Sequence, residues 1–251
     1  MGSAYDPEAG LLRLRHATLS VLARLAVAPA DASLHDHDVA PLVAELRRLG
    51  ILTPRGIDPA VEPLARAIGE AAGPFEVEVD DHGTLRRFRG WSGPRLGVVA
   101  AQVPGTDDFE LMADVPAMLP ALVEELLGLG AAPEPVVPGA ATADAVELRA
   151  LLARGVAATT EEVTAVLAGV EPAWAEAFTA AVRGAALRWQ LRAATGWMEL
   201  LDAGRSGLWL LEPATGDGTA GSERTVVRPV AVGQARARIA ALLAPADAHR
   251  R

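Results

Sequence analysis

The punctuating residues of this chain recur at nearly one offset. Asp58-Pro59 and Glu171-Pro172 lie 113 residues apart, as do Gly83 and Gly196, and Pro116 and Pro229; Ser92-Gly93 and Ser206-Gly207 lie 114 apart. The two members of each pair play the same structural part. In turn these are a helix start, a turn, a helix start after a strand, and a second turn. The spacing predicts a single domain over residues 1–251, made of two pseudo-repeats at about 11–130 and 131–245. Each copy places helices before strands. The fold class expected is therefore α+β: two pseudo-twofold-related helices-then-antiparallel-strands units forming a central sheet flanked by helical bundles.

The elements follow from periodicity and punctuation. Residues 11–27 read as a short alternating strand running into a helix. In 38–49, Val39, Leu42, Val43, Leu46 and Leu49 share one helical stripe, and Gly50 stops that helix. Asp58 with Pro59 opens a helix reaching about Glu70. Strands follow at 75–79, 85–91, 96–103 and 109–115, then a helix over 116–129. In the second copy, helices cover 143–153, 160–169 and 172–183, with Thr159 and Glu162 spaced as a capping box. Strands at 187–193, through the 196–211 region and at 225–230 precede a last helix at about 231–243.

The stretch GWMELLDAGRSGLWLL, residues 196–211, is a strand, a polar turn and a strand. It falls where LRRFRGWSGPRLGVVA falls in the first copy. Its two tryptophans, Trp197 and Trp209, and Trp189 in the strand before it, are expected mainly to serve packing.

Composition removes several kinds of chemistry. The 251 residues contain no Cys, no Lys and no Asn, so all 23 basic residues are Arg. There is no thiol nucleophile, disulfide or cysteine metal site, and no Schiff-base or P-loop lysine. A net charge of −9 makes nucleic acid an unsuitable partner. The acidic start MGSAYDPEAG lacks a signal-peptide pattern, and no long uncharged apolar run predicts a membrane span. The expectation is a soluble cytoplasmic protein that is not an enzyme and uses no cofactor. Nothing in the pattern fixes an oligomeric state.

Candidate chemical groups each have a plain structural reading. His35-Asp36-His37 has two imidazoles and a carboxylate, but no third clustered ligand, and reads as a solvated loop. GDGTAG (216–221) precedes a strand instead of opening a helix, so it is a hairpin loop and not a phosphate cradle. Ser92 and Ser206 are turn serines, not nucleophile elbows. Glu161 and Glu162 complement a helix N-terminus. Arg86, Arg87, Arg89 and Arg95 cluster in an otherwise acidic chain, either as an interface or as a soluble strand face.

The overall pattern resembles the EspG family, cytosolic chaperones of actinobacterial type VII (ESX) secretion. In the first copy the resemblance rests on LRRLGI, IDPAVEPLARAI, FEVEV and GTLRRFRGW. In the second it rests on LDAGRSGLWLLEP and TVVRPVAVGQARARIAALL. The resemblance implies a protein partner, the helical tip of a PE/PPE-like secretion substrate, kept soluble and delivered for export without catalysis. It also implies that the loop between the second and third strands touches that partner. Counting the 11–15 strand as first, this loop gives Asp80, Asp81, His82, Gly83 and Arg86 as protein-binding residues. Two other readings remain open: a small-molecule-binding domain or enzyme with a pocket between the two half-sheets, and an immunity-type binding protein.

Overall fold

A computed structural model describes residues 5–6, 11–30, 37–71, 73–81, 83–130, 133, 137–167, 169–185, 187–214 and 224–244. The fold is α+β, a large antiparallel sheet with helices. The first half contains β1 (Tyr5–Asp6), β2 (Leu11–Arg15), α1 (His16–Val27), α2 (Ala40–Arg48), β3 (Leu52–Thr53), β4 (Gly56–Ile57) and α3 (Glu62–Glu70). It continues with β5 (Pro74–Asp81), β6 (Thr84–Ser92), β7 (Gly97–Gln102), β8 (Asp108–Asp114) and α4 (Leu119–Leu127). The second half contains β9 (Ala141–Asp144), α5 (Ala145–Arg154), α6 (Thr160–Val166), α7 (Pro172–Gly184), β10 (Leu187–Ala193), β11 (Gly196–Asp202), β12 (Leu208–Pro213), β13 (Arg224–Val230) and α8 (Val232–Leu243). From β2 and from β9 onward, both halves run strand, three helices, four strands, helix. Among the described residues, only the first adds a small hairpin, β3–β4, between its second and third helices.

Contacts group the chain into two compact units. One holds residues 1–76, 87–122 and 243–251; the other holds 77–86 and 123–242. In the first, the strands run β1-β2-β8-β7-β6-β5. Its core joins Leu12 and Leu14 of β2, Leu19 and Leu22 of α1, Ile68 of α3, Trp91 of β6, Val98 of β7 and Leu111 of β8. The alternation of LLRLR puts Leu12 and Leu14 inward and leaves Arg13 out, where it pairs with Glu110, its cross-strand partner. Phe75 and Gly90 meet at the base of the β5–β6 hairpin: a Cβ built on Gly90 would lie 2.0 Å from the ring carbon Cζ of Phe75.

In the second unit the order is β10-β11-β12-β13-β9, with β5 beside β10. Directly opposed residues share a face, so Leu201, Trp209, Leu211 and Val227 look one way. They form one core cluster with Leu148 and Leu152 of α5, Val163 of α6, and Trp174 and Phe178 of α7. Trp209 is the hub: its ring centroid lies 5.0 Å from both Trp174, edge-on, and Phe178. Trp189, Met198, Leu200 and Leu210 are buried on the opposite face. There α8 closes in, with Arg238 Nε 2.8 Å from Glu212 Oε2, an ion pair whose angle misses that of a hydrogen bond. Thr195 Oγ1 also donates to the Leu242 carbonyl at 3.0 Å.

Several local signals act as read. Gly50 has φ +77°, the left-handed stop after α2. Thr159 and Glu162 form a full capping box at α6, and Glu162 also meets Arg154 at 2.6 Å. Two readings need correction. The helix assigned to Asp58 begins at Glu62, because the Asp58 carboxylate accepts from Ala60 N at 2.8 Å and makes a local turn first; Pro63 then sits in the first helical turn. Trp197 is only partly buried, unlike Trp189 and Trp209, which are 2% and 1% exposed.

Candidate protein-binding surface

The β5–β6 hairpin is made by alternation on one side and punctuation at the tip. Phe75, Val77 and Val79 point inward, while Glu76 and Glu78 face partly outward. Gly83 has φ +86°, and its N–H donates to Asp80 Oδ1 at 2.7 Å. That bond closes the tip with side-chain chemistry and spares it any need for outside support. Asp80, Gly83 and Arg86 are exposed and Asp81 is half-buried; His82 lies outside the described residues. Leu85, between the tip and Arg86, is 50% exposed, high for a leucine in a strand.

The tip residues 77–86 belong to the second unit, where they face a hollow of about 200 Å³. Asp80 and Gly83 line one side of it. Leu152 and Gly155, at the end of α5, line another, and Val182, Arg188 and Leu201 complete the wall. Gly155 turns the chain at φ +50° and leads into Val156, which is 75% exposed. Arg183 Nε donates to the Val156 carbonyl at 3.1 Å, fixing the backbone that presents this side chain. Apolar side chains, backbone at a glycine and one charge of each sign are thus held together. This composition suits contact with another protein better than bond-making chemistry. Of the residues read as binding, Asp80 and Gly83 line the hollow; Asp81 and Arg86 do not. The far wall, and the exposed pair Leu85 and Val156, escape sequence reasoning. Gly155 carries a signal, but only as a helix stop.

The arginine group divides. Arg86, Arg87 and Arg95 are exposed, whereas Arg89 is drawn inward to Glu76 and approaches His16 Nε2 at 2.8 Å. Its guanidinium is committed within the fold, so the interface reading does not extend to it. Burial, and then Arg89, lower the pKa of His16, with Glu76 acting in opposition.

The remaining candidates yield no reaction centre. Among the described residues no group of three or more His, Asp or Glu is placed to hold a metal; His35 and Asp36 lie outside them, as does GDGTAG. Ser206 sits in a turn whose carbonyl accepts from Trp209 Nε1 at 3.2 Å. Ser92 Oγ is buried with no partner among the described residues. Glu162 is used by its cap. No described helix is long and apolar enough to cross a membrane.

No protein-family profile matches the chain, and no curated protein does. Solved structures do. One, described as the Mycobacterium tuberculosis type VII secretion system chaperone EspG5 in complex with the PE25-PPE41 dimer, aligns with a TM-score of 0.59 at 15% identity, over 93% of this chain and 95% of that one. Across nearly its whole length, this chain has the fold of the EspG5 secretion chaperone.

Proposed function

We propose that this chain is a cytosolic chaperone of type VII secretion, which binds the helical tip of a PE/PPE-like helical-hairpin substrate, keeps it soluble and delivers it for export. The observation that carries the reading is the fold shared with EspG5, itself solved with a PE–PPE dimer, over almost all of both chains. The surface supports it. The hairpin tip, with Asp80, Asp81, His82, Gly83 and Arg86, meets the end of a helical partner, and Leu85 and Val156 supply exposed apolar contact. The hollow beside the tip takes a side chain from that helix end, while Asp80 and Arg188 on its rim orient polar groups. A tip already closed by its own hydrogen bond loses little freedom on binding. The role is binding without catalysis.

The test is co-expression of the full chain with a PE/PPE-like pair, followed by calorimetry on the purified complex. Replacing residues 80–83 by a two-residue Asn-Gly turn should leave the melting temperature nearly unchanged and weaken binding tenfold or more, about 1.4 kcal/mol. Failure of the wild-type chain to co-purify with any such pair would sink the reading. Unchanged affinity in the folded variant would move the binding surface to α6 and α7.

A further inference from the structure

A hollow of about 210 Å³ lies in the first unit, between α3 and the turn from β6 to β7. Pro59, Pro63 and Ala67 on the α3 side, and Pro94 and Leu96 on the turn, give it apolar walls. Its shape is set in advance. Proline rings fix φ at three wall positions. Gly93 lets the turn come down on α3, since a Cβ there would lie 2.8 Å from the Ala67 carbonyl oxygen. Prolines offer no N–H, so recognition in this hollow falls to side chains.

Its charges are unequally matched. Glu62, Arg66 and Glu70 also line it, four residues apart on one stripe of α3. Arg66 serves both carboxylates, Glu62 at 3.0 Å and Glu70 at 3.5 Å, so one negative charge is in surplus. The surplus falls on Glu70. Its contact is the longer, and it stands in the last turn of α3, where the carbonyl end of the helix disfavours an acid and no basic residue is present. On the turn side, Arg95 is exposed and has no ion-pair or hydrogen-bond partner among the described residues. A surplus acid and a free base thus share the rim of one apolar hollow. We propose that this hollow docks an extended segment of a partner protein whose basic, apolar and acidic side chains stand at alternate positions on one face. The basic side chain meets Glu70, the apolar one lies on Ala67 and Leu96, and the acidic one meets Arg95. The stripe from Glu62 to Glu70 runs about 12 Å along the helix. That is close to the roughly 13 Å between the first and fifth residues of an extended strand.

The probe is the peptide acetyl-Lys-Ala-Leu-Ala-Glu-amide on the full chain, followed by ligand-detected NMR and calorimetry. Two control peptides carry Gln at both charged positions, or Ser in place of Leu. Saturable binding of the probe, with each control at least about fivefold weaker, is expected. Glu70→Lys and Arg95→Glu should each weaken the probe about fivefold or more while melting as the wild type does, since both positions are exposed. Arg66→Gln should instead tighten the probe about twofold or more, because Glu70 then keeps no cation of its own. A purely structural role for Arg66 would not give that gain. No saturation up to about 10 mM, equal binding of charged and neutral peptides, or undiminished binding in both the Glu70 and Arg95 variants would overturn the site. None of these readouts involves a secretion substrate, so the outcome is independent of the chaperone assignment.

Discussion

Arg188 donates from Nε to a carboxylate oxygen of Glu199, and the two residues line different hollows of the second unit, Arg188 beside the hairpin tip and Glu199 at the β10–β11 turn. They lie on neighbouring strands but not directly opposite: Arg188 faces Leu201 and Glu199 faces Gln190. Among the described residues Glu199 is the one charged residue that is buried, at 6% exposure. Glu199→Gln keeps the shape but removes a charge-assisted bond, which should cost about 2 kcal/mol of stability. Thermal or urea unfolding measures it. A variant as stable as wild type would mean that Arg188 finds another acceptor.

The three second-unit tryptophans should separate by truncation. Trp189→Ala and Trp209→Ala each empty a buried site and should cost about 3–5 kcal/mol. Trp197→Ala leaves a partly exposed site and should cost clearly less. Equal losses at all three positions would show that Trp197 is core after all.

Val156 and Leu85 are exposed apolar side chains near the hairpin tip. Val156→Asp and Leu85→Asp should each leave melting within about 0.5 kcal/mol and weaken PE/PPE-like substrate binding about tenfold, measured by calorimetry. Variants that bind as wild type does would restrict the interface to the polar tip.

Acid should act through His16. Its pKa lies below the ordinary 6.5 in the folded chain, chiefly through burial and then Arg89. The unfolded chain therefore takes the proton first. The contribution of this group is undiminished above pH 6.5 and is lost as the pH falls through 6.5 toward the lowered value. The melting temperature of wild type should fall relative to that of His16→Gln as the pH drops from 7.5 to 5.5, about one unit either side of the ordinary value. Parallel curves would rule this out.

The single-domain reading, though the contacts group into two compact units, predicts one cooperative unfolding transition, coincident by far-UV and near-UV circular dichroism. Two separated transitions would show that the pseudo-repeats fold as independent domains.

Long periods and strong punctuation make part of this fold legible in the sequence. The LLRLR alternation, the capping box at Thr159 and Glu162, and the stop at Gly50 each rest on a few adjacent residues. The short strands β1, β3, β4 and β9 have two to four residues, too few to show period two; the end of β9, Ala141–Asp144, falls within the helix read over 143–153. The start of α3 is misplaced by sequence because Asp-Pro fits a local turn as well as a cap. The candidate surface is half visible. Asp80 and Gly83 form a contiguous turn, but Leu152, Val182 and Arg188 reach the same hollow from α5, α7 and β10, and no local pattern joins them. Trp197 reads like Trp189 and Trp209, because alternation assigns it a face but not how far the helices cover that face.

The ring of Phe75 occupies the place where a side chain on Gly90 would stand. Sliding the β5–β6 hairpin by one residue would set that ring against the Cβ of Arg89 or Trp91, so the glycine acts as a keyway that admits a single alignment of the two strands. Recharging the tip at Asp80 leaves that alignment untouched, whereas a methyl group at position 90 would force the ring of Phe75 aside.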